Sequence, residues 1–184
     1  MPLPRFNPDG VLPPFTGDPT NPANLSPYPA TALEFGQQFG NTPERRSILT
    51  GWLDLRDVLR QAGFHLAFQW VDGSFLEDIE NIEGRAPQDL DVITFFYPSD
   101  PNFSATVAAT FPILADHPQT KMQFRADHYL MNLAAHPIHT VDMTAYWCGL
   151  FSHRRDGTWK GLLRVEIGAK QDDDGLRNWI AAQP

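Results

Sequence analysis

Apolar positions recur every three to four residues from Thr42 to Ala62, with Ile48, Trp52, Leu55 and Leu59 on one stripe. Thr42 can cap this helix, Pro43 suits its first turn, and Gly63 ends it. The period then changes to two. Phe64, Leu66, Phe68 and Trp70 alternate with His65, Ala67 and Gln69, which predicts a strand with two unlike faces running into Asp72-Gly73-Ser74. Phe75 to Ile79 reads as a short helix and Asn81 to Gln88 as a loop. Asp89 to Tyr97, rich in β-branched and aromatic residues, reads as a second strand.

Asp100-Pro101 predicts the start of a helix that Pro112 stops near Phe111, and a third strand begins at Asp127. Tyr146 to Phe151 and Thr158 to Ile167 flank Asp156-Gly157, a hairpin-turn signal, and are expected to add two antiparallel strands. Asp172 to Gly175 reads as a solvated turn before a terminal helix containing Trp179. The expected fold is α/β in the α+β sense: a mixed sheet of about five strands with flanking helices. Nine of the 17 prolines lie in the first 29 residues, which predicts an irregular arm over residues 1–30 before the domain at 31–184. Phe6, Val11, Leu12, Phe15 and Tyr28 suit an arm packed on that domain rather than a free linker.

Composition narrows the function classes. A chain of 184 residues with 42% hydrophobic content suits one core. Its single cysteine, Cys148, makes no internal disulfide and is expected to be buried. No apolar run is long enough to span a bilayer and no export signal is evident, so a cytoplasmic protein is expected. The formal charge of -8 argues against non-specific nucleic-acid binding, so phosphate would need a divalent cation or the local cluster Arg154, Arg155, Lys160 and Arg164.

The candidate chemistry lies at one sheet edge. Asp89 and Asp91 are two apart on one strand, so their side chains share a face, an arrangement suited to holding Mg²⁺ or Mn²⁺ through hard oxygen ligands. If the first two strands are antiparallel, Gly73-Ser74 meets those aspartates, with glycine allowing close approach of a phosphate and Ser74 adding a hydroxyl. A β-α-β crossover makes the second and third strands parallel, which favours Asp127 over Asp142 as a third carboxylate. His136-Pro-Ile-His139 reads as a proline-containing loop with no third ligand at an obvious spacing.

Gly-Ser, an intervening helix and loop, Asp-hydrophobic-Asp-hydrophobic and a later strand aspartate together resemble the DNA polymerase beta-like nucleotidyltransferase superfamily. Phe6-Asn-Pro-Asp-Gly-Val-Leu-Pro-Pro, Asp72-Gly-Ser-Phe and Lys160-Gly161 resemble, more closely, a largely uncharacterised bacterial family with that core. The resemblance implies that Gly73, Ser74 and Lys160 hold nucleotide phosphates and that Asp89, Asp91 and Asp127 bind the metal and catalyse transfer. Two features depart from that pattern: Asp72 stands where a hydrophobic residue usually precedes the glycine, and the gap from Ser74 to Asp89 is slightly long. The implied partners are an NTP and an unknown acceptor, possibly a protein. The alternative is a nucleotide- or partner-binding module, such as half of a toxin-antitoxin or defence pair.

Overall fold

A computed structural model describes residues 2–168 and 170–184. Five strands, β1 (Tyr28–Ala30), β2 (Ala67–Asp72), β3 (Leu90–Phe96), β4 (Ala126–Asn132) and β5 (Leu163–Glu166), form one mixed sheet in the order β1-β5-β2-β3-β4. β2 is antiparallel to β3 and β5, β3 is parallel to β4, and β1 is parallel to β5. The helices among the described residues are α1 (Ala32–Phe39), α2 (Pro43–Gln61), α3 (Ile79–Glu83), α4 (Phe103–Thr110), α5 (His117–Phe124), α6 (Pro137–Phe151) and α7 (Lys170–Ala181). The expected α+β class with a five-stranded mixed sheet is therefore the observed one.

Both faces of the sheet are covered. On one, Val71, Val92, Phe96 and Ala126 join Ile48, Trp52, Leu55 and Leu59 of α2 in the larger core. On the other, Trp70, Ile93, Phe95 and Met131 pack under Trp147 and Phe151 of α6. Double coverage explains why β3 is buried at nearly every position instead of alternating. A polar chain threads the larger core: Trp52 Nε1 donates to Gln69 Oε1 at 2.9 Å, Gln69 Nε2 to Thr94 Oγ1 at 3.1 Å, and Thr94 Oγ1 lies 2.8 Å from His128 Nε2. Arg56, itself buried, closes the chain by binding Gln69 and Asp173.

Several expectations fail for identifiable reasons. Tyr146 to Phe151 is not a strand but the end of α6, where Trp147 and Phe151, one turn apart, face the sheet. Ile138, Val141 and Leu150 lie on its solvent side, so the helix lacks the amphipathic contrast that would have distinguished it from a strand. His136 and Pro137 are its cap and first residue, not part of a loop. The Asp156-Gly157 turn does form, with Arg154 N–H bonded to Thr158 O at 2.9 Å, but it closes only a single bridge between His153 and Trp159. Of Thr158 to Ile167 only Leu163–Glu166 is strand; the fifth strand comes from residues 28–30 instead.

The first predicted strand begins late, at Ala67. Gly63 at φ 93° makes a turn there, and Phe64 packs edge-on against Phe96 and Phe103 while Leu66 is exposed. Asp172 to Gly175 lies inside α7, where Asp172 accepts from Ala32 N and Asp173 is buried against Arg56 and Arg60. Cys148 is exposed, not buried. In the first 30 residues Val11 and Leu12 are fully buried, Gly161 N donates to Leu12 O at 2.8 Å, and Tyr28 Oη donates to Pro13 O at 2.8 Å.

Candidate active site

Three strand ends converge. The register pairs Asp72 of β2 with Asp91 of β3, and Asp91 with Asp127 of β4. Directly opposed residues share a face, so three aspartates from three strands stand in one row with strand spacings of about 4.8 Å. Asp89, two residues before Asp91, points to the same side. The crossover that makes β3 and β4 parallel brings Asp127 here, whereas Asp142 is exposed on α6.

Gly73 follows Asp72 and turns the chain at φ 92° and ψ -175°, backbone that is close to exclusive to glycine. A Cβ there would lie 2.9 Å from Asp91 Oδ2. The glycine is therefore what lets the β2 turn and the Asp91 carboxylate occupy adjacent space. Ser74 opens a single 3₁₀ turn, Ser74–Leu76, whose Phe75 and Leu76 are buried. The turn is anchored from behind by Arg45, whose guanidinium donates to Phe75 O and Glu77 O at 2.7 Å and pairs with Glu80.

Two ammonium groups flank the row in unlike environments. Lys160, 3% exposed, has Nζ 2.8 Å from Glu77 Oε1, 3.4 Å from Gly73 O and 3.1 Å from Asp72 Oδ1, the last an ion pair without hydrogen-bond alignment. Burial by itself would lower the Lys160 pKa, but Asp72 and Glu77 override it and hold it raised. Lys160 is thus committed to the back of the Gly73 turn rather than presented to solvent. At the other end Lys121 of α5, half exposed, has Nζ 2.6 Å from Asp89 Oδ2 and 3.8 Å from Asp127 Oδ2.

The electrostatics of the row follow. Burial, then the Asp89 and Asp127 carboxylates, push Asp91 up to about 6. Burial pushes Asp72 up to about 7 against the opposing pull of Lys160. Burial dominates both shifts, and at Asp91 the neighbouring carboxylates add to it. The donor set is all oxygen, with Asp91 and Asp127 on neighbouring strands and Asp89 just before β3, and it already accepts a cation, the Lys121 ammonium, between Asp89 and Asp127. These residues fit a hard divalent ion such as Mg²⁺ or Mn²⁺. Among the described residues no three His, Cys, Asp or Glu side chains are already drawn together as a metal-holding group; at this row Lys121 stands between two of the carboxylates.

The sequence reading did not single out Lys121 or Glu77. Lys121 lies six residues before Asp127 in a helix that leads straight into β4, and that proximity was the available signal. Glu77 carried none, because only the fold places it behind Gly73.

The architecture is thus a helix-covered mixed sheet with a carboxylate row at the ends of its three adjacent strands β2, β3 and β4. Over residues 4–166 the chain matches the model of a family of unknown function (DUF6932), and it belongs to that family. No curated protein and no solved structure matches it. No helix among the described residues is long and apolar enough to cross a membrane.

Proposed function

We propose that the chain is a Mg²⁺-dependent cytoplasmic nucleotidyltransferase of the DNA polymerase beta-like kind, moving a nucleoside monophosphate from an NTP to a hydroxyl acceptor with release of pyrophosphate. The observation that carries the reading is the packing of the Gly73 turn against Asp91, with Asp127 in register beside it. When bound, divalent ions would neutralise the triphosphate and stabilise charge on the attacking and leaving oxygens. Asp89, Asp91 and Asp127 would hold them. Gly73 lets its turn lie against the Asp91 carboxylate, and Ser74 offers a hydroxyl to a phosphate there. Lys160 acts as a positioning residue here: its ammonium ties Gly73 O to Glu77 and Asp72, fixing the turn that faces the substrate. The acceptor hydroxyl could belong to a protein, an RNA end or a small molecule.

The test is incubation of the purified protein with each labelled NTP, Mg²⁺ or Mn²⁺, and lysate. Label transferred by the wild type and lost in Asp91→Asn supports the reading. Absence of both transfer and metal-dependent NTP binding rejects it. One observation favours a second reading, a partner-binding module of the toxin-antitoxin or defence type. The solvent side of α6 exposes Ile138, Val141, Tyr146 and Leu150 together, an apolar face suited to a protein partner. Unimpaired partner capture by Asp91→Asn, with no transfer by the wild type, would select it.

A further inference from the structure

The two lysines beside the carboxylate row differ in a way that assigns them different tasks. Lys160 is buried among Asp72, Glu77 and the Gly73 carbonyl, three oxygens from one segment, and its release would leave the buried Asp72 carboxylate without its cation, while Glu77 would keep only Arg154 at 3.4 Å. Lys121 is 51% exposed and held only through its tip, by Asp89 and more distantly by Asp127. Exposed ammonium–carboxylate pairs of this kind contribute little to stability and separate readily. Yet the place that Lys121 occupies is not peripheral. Asp89 and Asp127 flank Asp91, so a cation bridging them sits at the centre of the carboxylate row.

We propose that Lys121 is a built-in counter-cation of the metal site: it occupies the space between Asp89 and Asp127 in the metal-free protein and is displaced when a divalent ion enters. This inference rests on the nucleotidyltransferase reading of the same carboxylates. An ammonium carries one charge and donates hydrogen bonds, whereas a divalent ion brings twice the charge and binds the same oxygens directly. The exchange therefore improves neutralisation of the row while freeing Lys121 at its mouth. The lysine stem is anchored in the last turn of α5, whose end is fixed by Arg125 N–H bonding to Lys121 O at 3.0 Å, so displacement needs side-chain rotation only. Freed there, Lys121 lies beside the incoming triphosphate and replaces Lys160, whose burial removes it from that role. In the metal-free state the same contact lowers affinity for divalent ions, because metal and lysine compete for one pair of carboxylates.

Mn²⁺ binding to the full chain without nucleotide, followed by the loss of the free-ion electron paramagnetic resonance signal, tests this directly. Lys121→Met, which keeps the stem and removes the charge, should bind Mn²⁺ about three- to tenfold more tightly than the wild type at low salt. Lys121→Gln should shift affinity in the same direction, and Lys121→Arg should remain near the wild type. Asp91→Asn should abolish saturable binding. Circular dichroism of each variant establishes that it is folded; the exposure of Lys121 makes all three changes at that position tolerable. If Lys121→Met and Lys121→Gln bind Mn²⁺ no more tightly than the wild type while Asp91→Asn still abolishes binding, the counter-cation role is wrong and the metal site stands. If neither the wild type nor the Lys121 variants bind Mn²⁺ saturably, both are wrong.

Discussion

Replacing Gly73 with alanine tests the central geometric argument, because two separate costs meet at this residue. The backbone at φ 92° and ψ -175° lies in a region where an L-residue is strained by about 1–3 kcal/mol. The new methyl would in addition sit 2.9 Å from Asp91 Oδ2 and 3.2 Å from Asp91 Cγ, so the carboxylate must shift. Gly84 is the control. It also has positive φ, 66°, but nothing stands within 4 Å of its virtual Cβ, so Gly84→Ala should cost only about 1 kcal/mol. For a chain of this size each kcal/mol lowers Tm by about 2–4 °C, which places Gly73→Ala roughly 2–12 °C below the wild type before the contact with Asp91 is added.

Urea unfolding followed by tryptophan fluorescence measures both variants. A double-mutant cycle separates the two costs at Gly73. In an Asp91→Ala background the conflict with the carboxylate disappears while the backbone strain and the 3.3 Å approach to the backbone nitrogen of residue 91 remain, so the penalty for Gly73→Ala should fall by at least about 0.5 kcal/mol. A Gly73→Ala penalty no larger than that of Gly84→Ala, or unchanged in the Asp91→Ala background, would refute the claim that this glycine exists to admit the carboxylate.

Three further outcomes follow from the structure. Asp91→Asn should flatten the pH profile of stability between about 4 and 6: the folded-state pKa near 6 lies above the usual carboxylate value, so the folded wild type binds the extra proton and loses stability as pH rises through that window; an unchanged profile in urea titrations at each pH would contradict it. His128, buried and pulled down to about 3 by desolvation, contributes stability present above pH 6.5 and lost progressively as pH falls towards 3, so His128→Gln should lessen the acid sensitivity seen by circular dichroism. Asp173→Ala should cost about 3–5 kcal/mol in the same unfolding assay, since it strands the buried Arg56 guanidinium, whereas loss under 1 kcal/mol would mean that the pair is dispensable.

What the chain determined locally is legible in its residues. Thr42 and Pro43 start α2, and its apolar stripe forms because a 3.6-residue period can bury only one side of a helix. The parallel partnership of β3 with β4 follows from their crossover connection and brings Asp127 beside Asp91, whereas the antiparallel pairing of β2 with β3, on which the approach of Gly73 depends, was only a condition in the sequence and is decided by the fold. Tertiary structure alone decided the rest. The run Tyr146–Phe151 is as apolar as a strand, and it became helix because Trp147 and Phe151 cap the sheet face that holds Trp70 and Ile93. The acidic run at 172–174 reads as solvated until Arg56, more than a hundred residues away in sequence, reaches Asp173. Lys160 and Lys121 carry the same side chain, and no local pattern distinguishes them. Their different tasks arise from burial: one ammonium is enclosed by Asp72 and Glu77 behind the turn, the other stands half in solvent before the row, and a charge's surroundings are set by segments that meet only in the folded chain.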